Sequence, residues 1–146
     1  MLLEQTEKLE KFAKLVIEKN KIHNLTAARS TESFLNTHVD DCIKAYQRIE
    51  KMLCDEVVDC GSGAGLPAIV WAIINPALIV HSVDSNQKKI AFQKHVRRML
   101  DLDNLHPIAG RIEDIRLDGK ISAIFKAFSS IKKGAGSLNK ENNFKK

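Results

Sequence analysis

The sequence predicts an α/β domain in which a parallel β-sheet carries helices on both faces and follows two N-terminal helices. Short, nearly continuous apolar runs alternate with helical patterns from residue 56 onward. That alternation is typical of parallel strands joined by helices. A glycine-rich loop connects the first of these runs to a helix, whereas the earlier part of the chain shows only helical periodicity.

Two amphipathic helices are predicted ahead of the sheet. Apolar side chains recur at helical spacing between Leu9 and Val16, which predicts a helix over 3–19. Ser30 is placed to cap a second helix that has Glu32 in its first turn. The inner face of this second helix is predicted to hold Leu35, Val39, Cys42, Tyr46 and Ile49.

The sheet region contains four candidate strands. They cover residues 56–60, 78–83, 105–109 and 121–125. A helix is predicted from Leu66 to Ile74, and Asn75-Pro76 ends it because the residue before a proline disfavours α geometry. Ser85 can cap a fourth helix over about 86–100, whose inward side chains would be Phe92, Val96 and Met99.

One domain is predicted over 1–130, with a helical part at 1–54, a sheet-forming half at 55–130 and a polar, basic tail at 131–146. The composition, 44% apolar and 28% charged, is that of an ordinary globular domain. The net charge of +5 belongs to residues 126–146, which hold six lysines and one acid. Such a tail is compatible with a nucleic-acid partner without indicating one by itself.

The sequence favours a cytoplasmic protein without a membrane span. No apolar run reaches the ~18–20 residues that a span requires, and the N-terminus has no secretory pattern. The three cysteines form no CxxC pair, so we interpret Cys42, Cys54 and Cys60 as reduced thiols with a packing role. The histidines show no metal-binding spacing, so no metal is predicted.

The strongest local signal is the glycine loop, in which Gly61, Gly63 and Gly65 alternate directly after Asp59. Glycines allow a tight turn and let the backbone lie against a ligand, which a Cβ would obstruct. Asp84 follows the second strand, where a carboxylate can accept hydrogen bonds from both hydroxyls of a ribose. The alternatives are a glycine turn without a ligand, and for Asp84 a helix cap or a solvated strand end.

Two cofactor classes fit such a loop. Dinucleotide enzymes usually show G-x-G-x-x-G, with a pyrophosphate at the helix N-terminus, whereas the third glycine here comes one residue early. Asp59 suits a ligand with a cationic amino-acid end. The electrostatics therefore favour S-adenosylmethionine (SAM), which carries an ammonium and a sulfonium, over NAD; an NAD-linked oxidoreductase remains the rival class.

Several segments together resemble one bacterial family. Residues 58–67 are similar to V-D-x-G-[ST]-G-x-G-L-P, and residues 20–27 to N-x-x-x-N-L-T-A. Residues 83–89 are similar to the family's strand-end acid followed by a basic helix start. Residues 111–113 are similar to R-[VI]-E, and residues 38–41 are similar to H-x-x-D. These motifs are those of the small-subunit ribosomal RNA methyltransferase G family, also called glucose-inhibited division protein B.

The resemblance implies a Rossmann-like SAM-dependent methyltransferase fold and methylation of guanine N7 in 16S rRNA of the small ribosomal subunit. It implies cofactor contacts at Gly61, Leu66, Asp84, Ile112 and Glu113. Lys126 stands where the family has a cofactor-site arginine; lysine keeps the charge but loses the planar, bidentate guanidinium. The family continues with later strands that are missing here, so the sequence looks like a shortened member.

Guanine N7 already presents a lone pair in the ring plane, so methyl transfer needs positioning rather than a general base. No catalytic residue is therefore predicted. His38 and Asp41 could hydrogen-bond on one helix face, either in packing or near the methyl-transfer site. A solvated face is favoured over an RNA contact for Lys88, Lys89, Lys94, Arg97 and Arg98.

The alternative to an active enzyme is an inactive remnant that at most binds SAM. Without later strands, the fourth strand would be an open sheet edge, which predicts self-association through it.

Overall fold

The protein is built around a four-stranded parallel sheet, seen in a computed structural model that describes residues 1–125. The strands are β1 (Glu56–Cys60), β2 (Ile79–Asp84), β3 (Leu105–Ala109) and β4 (Ser122–Phe125). Their order is β3-β2-β1-β4, and every neighbouring pair is parallel. The carboxyl ends of all four strands therefore meet at one edge of the sheet, as the α/β prediction requires.

Five α-helices accompany the sheet in the described part of the chain. They are α1 (Leu3–Asn20), α2 (Thr31–Phe34), α3 (Asp40–Ile49), α4 (Ala68–Ile74) and α5 (Gln87–Leu100). A π-helical segment, Leu35–Val39, joins α2 to α3, and 3-10 turns cover Glu50–Met52 and Ile112–Asp114. The Ser30 side chain accepts a hydrogen bond from the Ser33 N–H, so the predicted cap of the second helical region is confirmed.

Two predicted helix boundaries are wrong. Asn86, not Ser85, caps α5, because its side chain accepts hydrogen bonds from the N–H groups of Lys88 and Lys89. Met99 does not face inward: it is 57% exposed, and Leu100 takes the buried position. The helix after the glycine loop begins at Ala68 rather than at Leu66, since Leu66 precedes Pro67 and the residue before a proline disfavours α geometry.

The main core lies on one face of the sheet, beneath the α-helices. Trp71 and Phe12 are among its largest fully buried side chains. The indole N–H of Trp71 donates a hydrogen bond to the Cys42 carbonyl at 2.9 Å, and its ring meets that of Tyr46 at 5.4 Å between centroids. These contacts join α3 to α4, so the N-terminal helices share one core with the sheet.

The opposite face of the sheet is thinner than the sequence predicts. A smaller cluster there contains Val58, Cys60, Val83, Ile121 and Ala123. It is covered by the segment between β3 and β4, through Ile112, Ile115 and Leu117. Within residues 1–125 that cover includes a 3-10 turn but no α-helix.

Two of the three cysteines pack in the core, as predicted, and all three are free thiols. Cys42 and Cys60 are buried, and Cys54 is half-buried. Burial, with a smaller contribution from the Asp59 carboxylate, raises the pKa of Cys60 to about 12. Burial is also the main reason that the pKa of Cys42 lies well above its ordinary value, so both thiols are protonated packing groups near neutral pH.

None of the helices in 1–125 is long and apolar enough to cross a bilayer. Lys126 and the predicted tail at 131–146 lie outside the described residues. The proposed division into parts at 54 and 130 stays a prediction.

Candidate functional site

The glycine loop and Asp84 lie in direct contact at the carboxyl edge of the sheet. The N–H groups of Gly61 and Ser62 donate to the Val83 carbonyl at 2.7 and 3.0 Å. The Gly63 N–H donates to Oδ2 of Asp84 at 2.8 Å. The glycine loop and Asp84 are therefore parts of one constellation, formed by the ends of β1 and β2.

The Asp84 carboxylate keeps acceptor capacity beyond this contact. Its Oδ1 accepts the Asn86 N–H at 2.8 Å, so each oxygen holds one backbone donor. A carboxylate offers about four lone-pair positions, which leaves roughly one on each oxygen for further donors. Asp84 is half-buried, so its carboxylate is both fixed in orientation and open to a ligand with two adjacent hydroxyls.

The three glycines have different roles although all have positive φ angles, of 79°, 59° and 106° for Gly61, Gly63 and Gly65. A Cβ built on Gly61 would meet nothing within 4 Å, so open space lies over the backbone there. A Cβ on Gly65 would come within 2.3 Å of Cδ1 of Ile69. Gly61 therefore leaves room for a ligand, whereas Gly65 lets α4 pack closely against the loop.

Asp59 closes the amino end of α4. Its side chain is only 2% exposed, and Oδ2 accepts the Ala68 N–H at 3.1 Å. A carboxylate in this position satisfies a free helix donor and neutralises the positive end of the helix dipole. An anionic ligand group placed there would face this carboxylate, so the start of α4 is unfavourable for phosphate.

The backbone donors of the loop are also largely committed to protein acceptors. Besides the contacts to β2, the N–H groups of Gly65 and Leu66 both donate to the Ser62 carbonyl, at 2.9 and 3.2 Å. Pyrophosphate recognition relies on free N–H groups at such a loop. The geometry therefore favours a ligand without phosphates at this point, which agrees with the preference for SAM over NAD.

A buried glutamine on α5 holds the loop from behind, and sequence reasoning missed it. Gln93 is fully buried, and its Nε2 donates to Oγ of Ser62 at 2.8 Å and to the Gly63 carbonyl at 2.7 Å. Its Oε1 accepts a hydrogen bond from the Ser82 hydroxyl. The available signal was one polar residue inside the apolar stripe of Phe92 and Val96.

The turn after β3 lies at the same edge. The Gly110 N–H donates to the Asp84 carbonyl at 3.0 Å, which places the start of this turn beside the glycine-loop constellation. Ile112 is half-buried and packs against the smaller cluster on the opposite face of the sheet, and Glu113 is exposed. Leu66 is half-buried and packs on the main core.

The helical pair from the sequence analysis does not form the expected contact. No hydrogen bond joins His38 to Asp41; the His38 ring, in the π-helical segment, lies 5.6 Å from that of Phe34. A place for this pair near the methyl-transfer site stays a prediction. No group of three or more His, Cys, Asp or Glu side chains in 1–125 is arranged to hold a metal ion.

The fold is the Rossmann-like fold of methyltransferases. The chain is similar to the SAH-bound methyltransferase PaMTH1 of Podospora anserina, with a TM-score of 0.51 and 16% identity over 87% of this chain and 51% of that one. It is also similar to protein arginine methyltransferase 10 of Arabidopsis thaliana, with a TM-score of 0.51 and 21% identity over 79% and 31% of the two chains.

Sequence similarity then gives the family. Residues 5–142 match the family profile described as GidB, rRNA small subunit methyltransferase G, and the chain belongs to that family. The ribosomal RNA small subunit methyltransferase G of Methylobacillus flagellatus is 38% identical over 129 residues, covering 88% of this chain and 62% of the relative. That of Pseudomonas syringae pv. tomato is 39% identical over 136 residues, covering 90% and 62%. The chain thus spans about three fifths of these relatives' length.

Proposed function

We propose that this chain binds SAM at the glycine loop and Asp84 and transfers its methyl group to guanine N7 of 16S rRNA. The observation that carries the cofactor half is the hydrogen bond between the Gly63 N–H and the Asp84 carboxylate. It joins a backbone platform to an oriented acid across neighbouring strand ends, which is where open α/β sheets bind ligands.

The residues present fit this cofactor. The free acceptor positions of Asp84 would receive the two ribose hydroxyls, and the open space over Gly61 would receive the ligand at the loop. By family resemblance Leu66, Ile112 and Glu113 would contact the cofactor, the last two beside its adenine. Asp59 would favour the cationic amino-acid end through its charge, although the observed contact of this buried side chain is with α4. Lys126, the proposed counterpart of the family's arginine, follows β4 directly.

When bound, SAM supplies an electrophilic methyl group on a sulfonium. The chain's task is then to align the guanine with that methyl group and to exclude water, since N7 needs no deprotonation. The curated relatives are named as ribosomal RNA methyltransferases, which supports rRNA in the small subunit as the substrate and the cytoplasm as the place of action.

Calorimetry on the full chain with SAM and, separately, with NAD tests the cofactor half. We expect SAM to bind and NAD not to bind; NAD binding without SAM binding would overturn the proposal. To test the reaction, a bacterial strain that lacks its own enzyme for N7 methylation of 16S rRNA is complemented with this chain. Its 16S rRNA is then analysed by mass spectrometry for 7-methylguanine. SAM binding without methylation would instead match the inactive, SAM-binding alternative.

Self-association through β4 stays a prediction. In the described part of the chain β4 pairs only with β1 and is the last strand on its side of the sheet. Sedimentation of the full chain over a range of concentrations tests it, since self-association makes the apparent mass rise with concentration.

A further inference from the structure

A groove runs between the end of α1 and the first half of α5, and the proposed function leaves it unexplained. It contains two adjoining cavities of about 390 and 320 Å³. Both cavities are lined by Lys19, Ile22, His23, Lys88 and Phe92. We call this feature the α1–α5 groove.

One wall of the α1–α5 groove is a fixed loop. Oδ1 of Asn20 accepts the N–H groups of Leu25 and Thr26 at 2.7 and 3.1 Å, and Nδ2 donates to the Thr26 carbonyl at 3.1 Å. A single side chain thereby closes residues 21–25 into a defined shape. This loop belongs to the N-x-x-x-N-L-T-A segment, to which the cofactor site gives no role.

The charge of the α1–α5 groove is positive and uncompensated. Lys19, Lys88 and Lys89 line it, and none of them has an ion pair within residues 1–125. Glu18, the one acid of the lining, is bridged at 3.3 Å by Lys21. Residues 1–125 hold 17 basic and 17 acidic side chains. This cluster therefore concentrates positive charge locally on a part of the chain whose formal net charge is zero.

The α1–α5 groove also offers apolar surface beside its charges, and it begins next to the cofactor site. Ile22 is 73% exposed on its rim, whereas Phe92, which also lines the groove, is buried in the main core. Asn86 lines the second cavity and donates its N–H to Asp84. A polymer lying in the groove would therefore pass the edge of the sheet where the methyl group is proposed to be presented.

We infer that the α1–α5 groove binds the phosphate backbone of the RNA substrate. The inference rests on the proposed function, because it is the methylated RNA that must extend from the site. Lysines on both walls can pair with phosphates, the exposed Ile22 suits a ribose or base face, and the binding free energy of the phosphate contacts comes from counterion release.

The test measures binding of the full chain to a 16S rRNA transcript at several salt concentrations. The groove variant carries Lys19→Gln, Lys88→Gln and Lys89→Gln. The control variant carries Lys11→Gln, Lys14→Gln and Lys51→Gln, three exposed lysines outside the groove lining that change the net charge equally. Thermal melts and SAM titrations accompany both variants.

Losing three phosphate contacts should make the negative slope of log affinity against log salt shallower by about 2. This change corresponds to about 100-fold weaker binding at 0.1 M salt. We expect this from the groove variant, with its melting temperature and SAM affinity unchanged, and a much smaller loss from the control. Equal losses in both variants, or no loss in either, overturn the inference about the groove alone. Polyglutamate of equal charge that binds as tightly as the RNA at the same salt concentration overturns the choice of RNA as ligand.

A parent chain that binds SAM but no RNA overturns both this inference and the rRNA half of the proposed function.

Discussion

The starts of α4 and α5 occupy equivalent places in the fold and have opposite electrostatics. Each helix follows the carboxyl end of a parallel strand in the same layer. At α4 the buried Asp59 carboxylate accepts the Ala68 N–H, and the loop donors ahead of the helix are already used. At α5 the neutral Asn86 is the cap, and Lys88 and Lys89 follow it with no acidic partner among residues 1–125.

The difference separates two kinds of ligand at one sheet edge. A negatively charged group is disfavoured at α4, where we propose that the cationic cofactor lies, and is favoured at α5, where we propose that RNA phosphates lie. Asp84 stands between them, since it contacts both the glycine loop and Asn86. Separate electrostatics allow a positively charged cofactor and a polyanion to bind side by side.

The largest expected effect is the loss of cofactor binding when Asp84 is removed. Two hydrogen bonds to a charged acceptor contribute together about 3 kcal/mol, so Asp84→Ala should weaken SAM binding about 100-fold. Asp84→Asn keeps one acceptor oxygen and should cost about 10-fold. Calorimetry measures both, with the exposed Asp103→Asn as the control; unchanged affinity in Asp84→Ala would remove this acid from the site.

The next effect concerns Gln93, which connects α5 to the glycine loop ahead of α4. Gln93→Leu would leave the Ser82 and Ser62 hydroxyls and the Gly63 carbonyl without their buried partner. At ~1 kcal/mol or more for each unsatisfied group, the free energy of unfolding should fall by about 3 kcal/mol. Urea unfolding measures it. Gln87→Leu, at the exposed first position of the same helix, should change it little, and equal effects would contradict the network.

The two outer glycines of the loop should differ in what alanine changes. Stability should fall more in Gly65→Ala, and SAM affinity should fall more in Gly61→Ala. Gly65→Ala places a Cβ 2.3 Å from the buried Ile69 at a φ of 106° and should lower the free energy of unfolding by about 2 kcal/mol. Gly61→Ala meets open space, so only its φ of 79° costs about 1 kcal/mol. SAM affinity should fall more in Gly61→Ala, and a larger stability loss there would reverse the assigned roles.

The sequence was a good guide where one local signal decides the structure. The sequence placed the glycine loop after the first predicted strand and Asp84 after the second, and the Gly63 contact joins them at one edge of the sheet. Ser30 predicted the start of α2 because a hydroxyl cap is a local interaction. The Asn86 cap was missed because Ser85 and Asn86 are adjacent and both are good capping residues, so only backbone geometry separates them.

Features that depend on contacts distant in sequence were not predictable. The acceptors of Gln93 lie on the glycine loop, 30 and 31 positions away. The cover of the second sheet face depends on how residues 110–121 fold back onto Val58 and Val83, which their composition does not reveal. The α1–α5 groove likewise needs two helices brought together, so Lys88 and Lys89 appeared to be a solvated face.

The smallest effects come from making the two helix starts more alike. Asp59→Asn keeps an acceptor for the Ala68 N–H but removes the charge from the start of α4, which should lower the free energy of unfolding by about 1 kcal/mol. Asn86→Asp keeps the cap of α5 and adds a charge favourable to the helix dipole, so stability should rise by about 0.5 kcal/mol. Both are measured by urea unfolding.

The Asn86→Asp variant separates stability from ligand binding. The added carboxylate stands beside Lys88 and Lys89 and would offset about one cation of the α1–α5 groove. The negative slope of log RNA affinity against log salt should then become shallower by about 0.7. At 0.1 M salt this is about fivefold weaker binding, in a more stable protein. Filter binding at two salt concentrations measures this. Because a destabilised chain cannot explain weaker binding here, unchanged RNA affinity would show that the start of α5 does not face the phosphates.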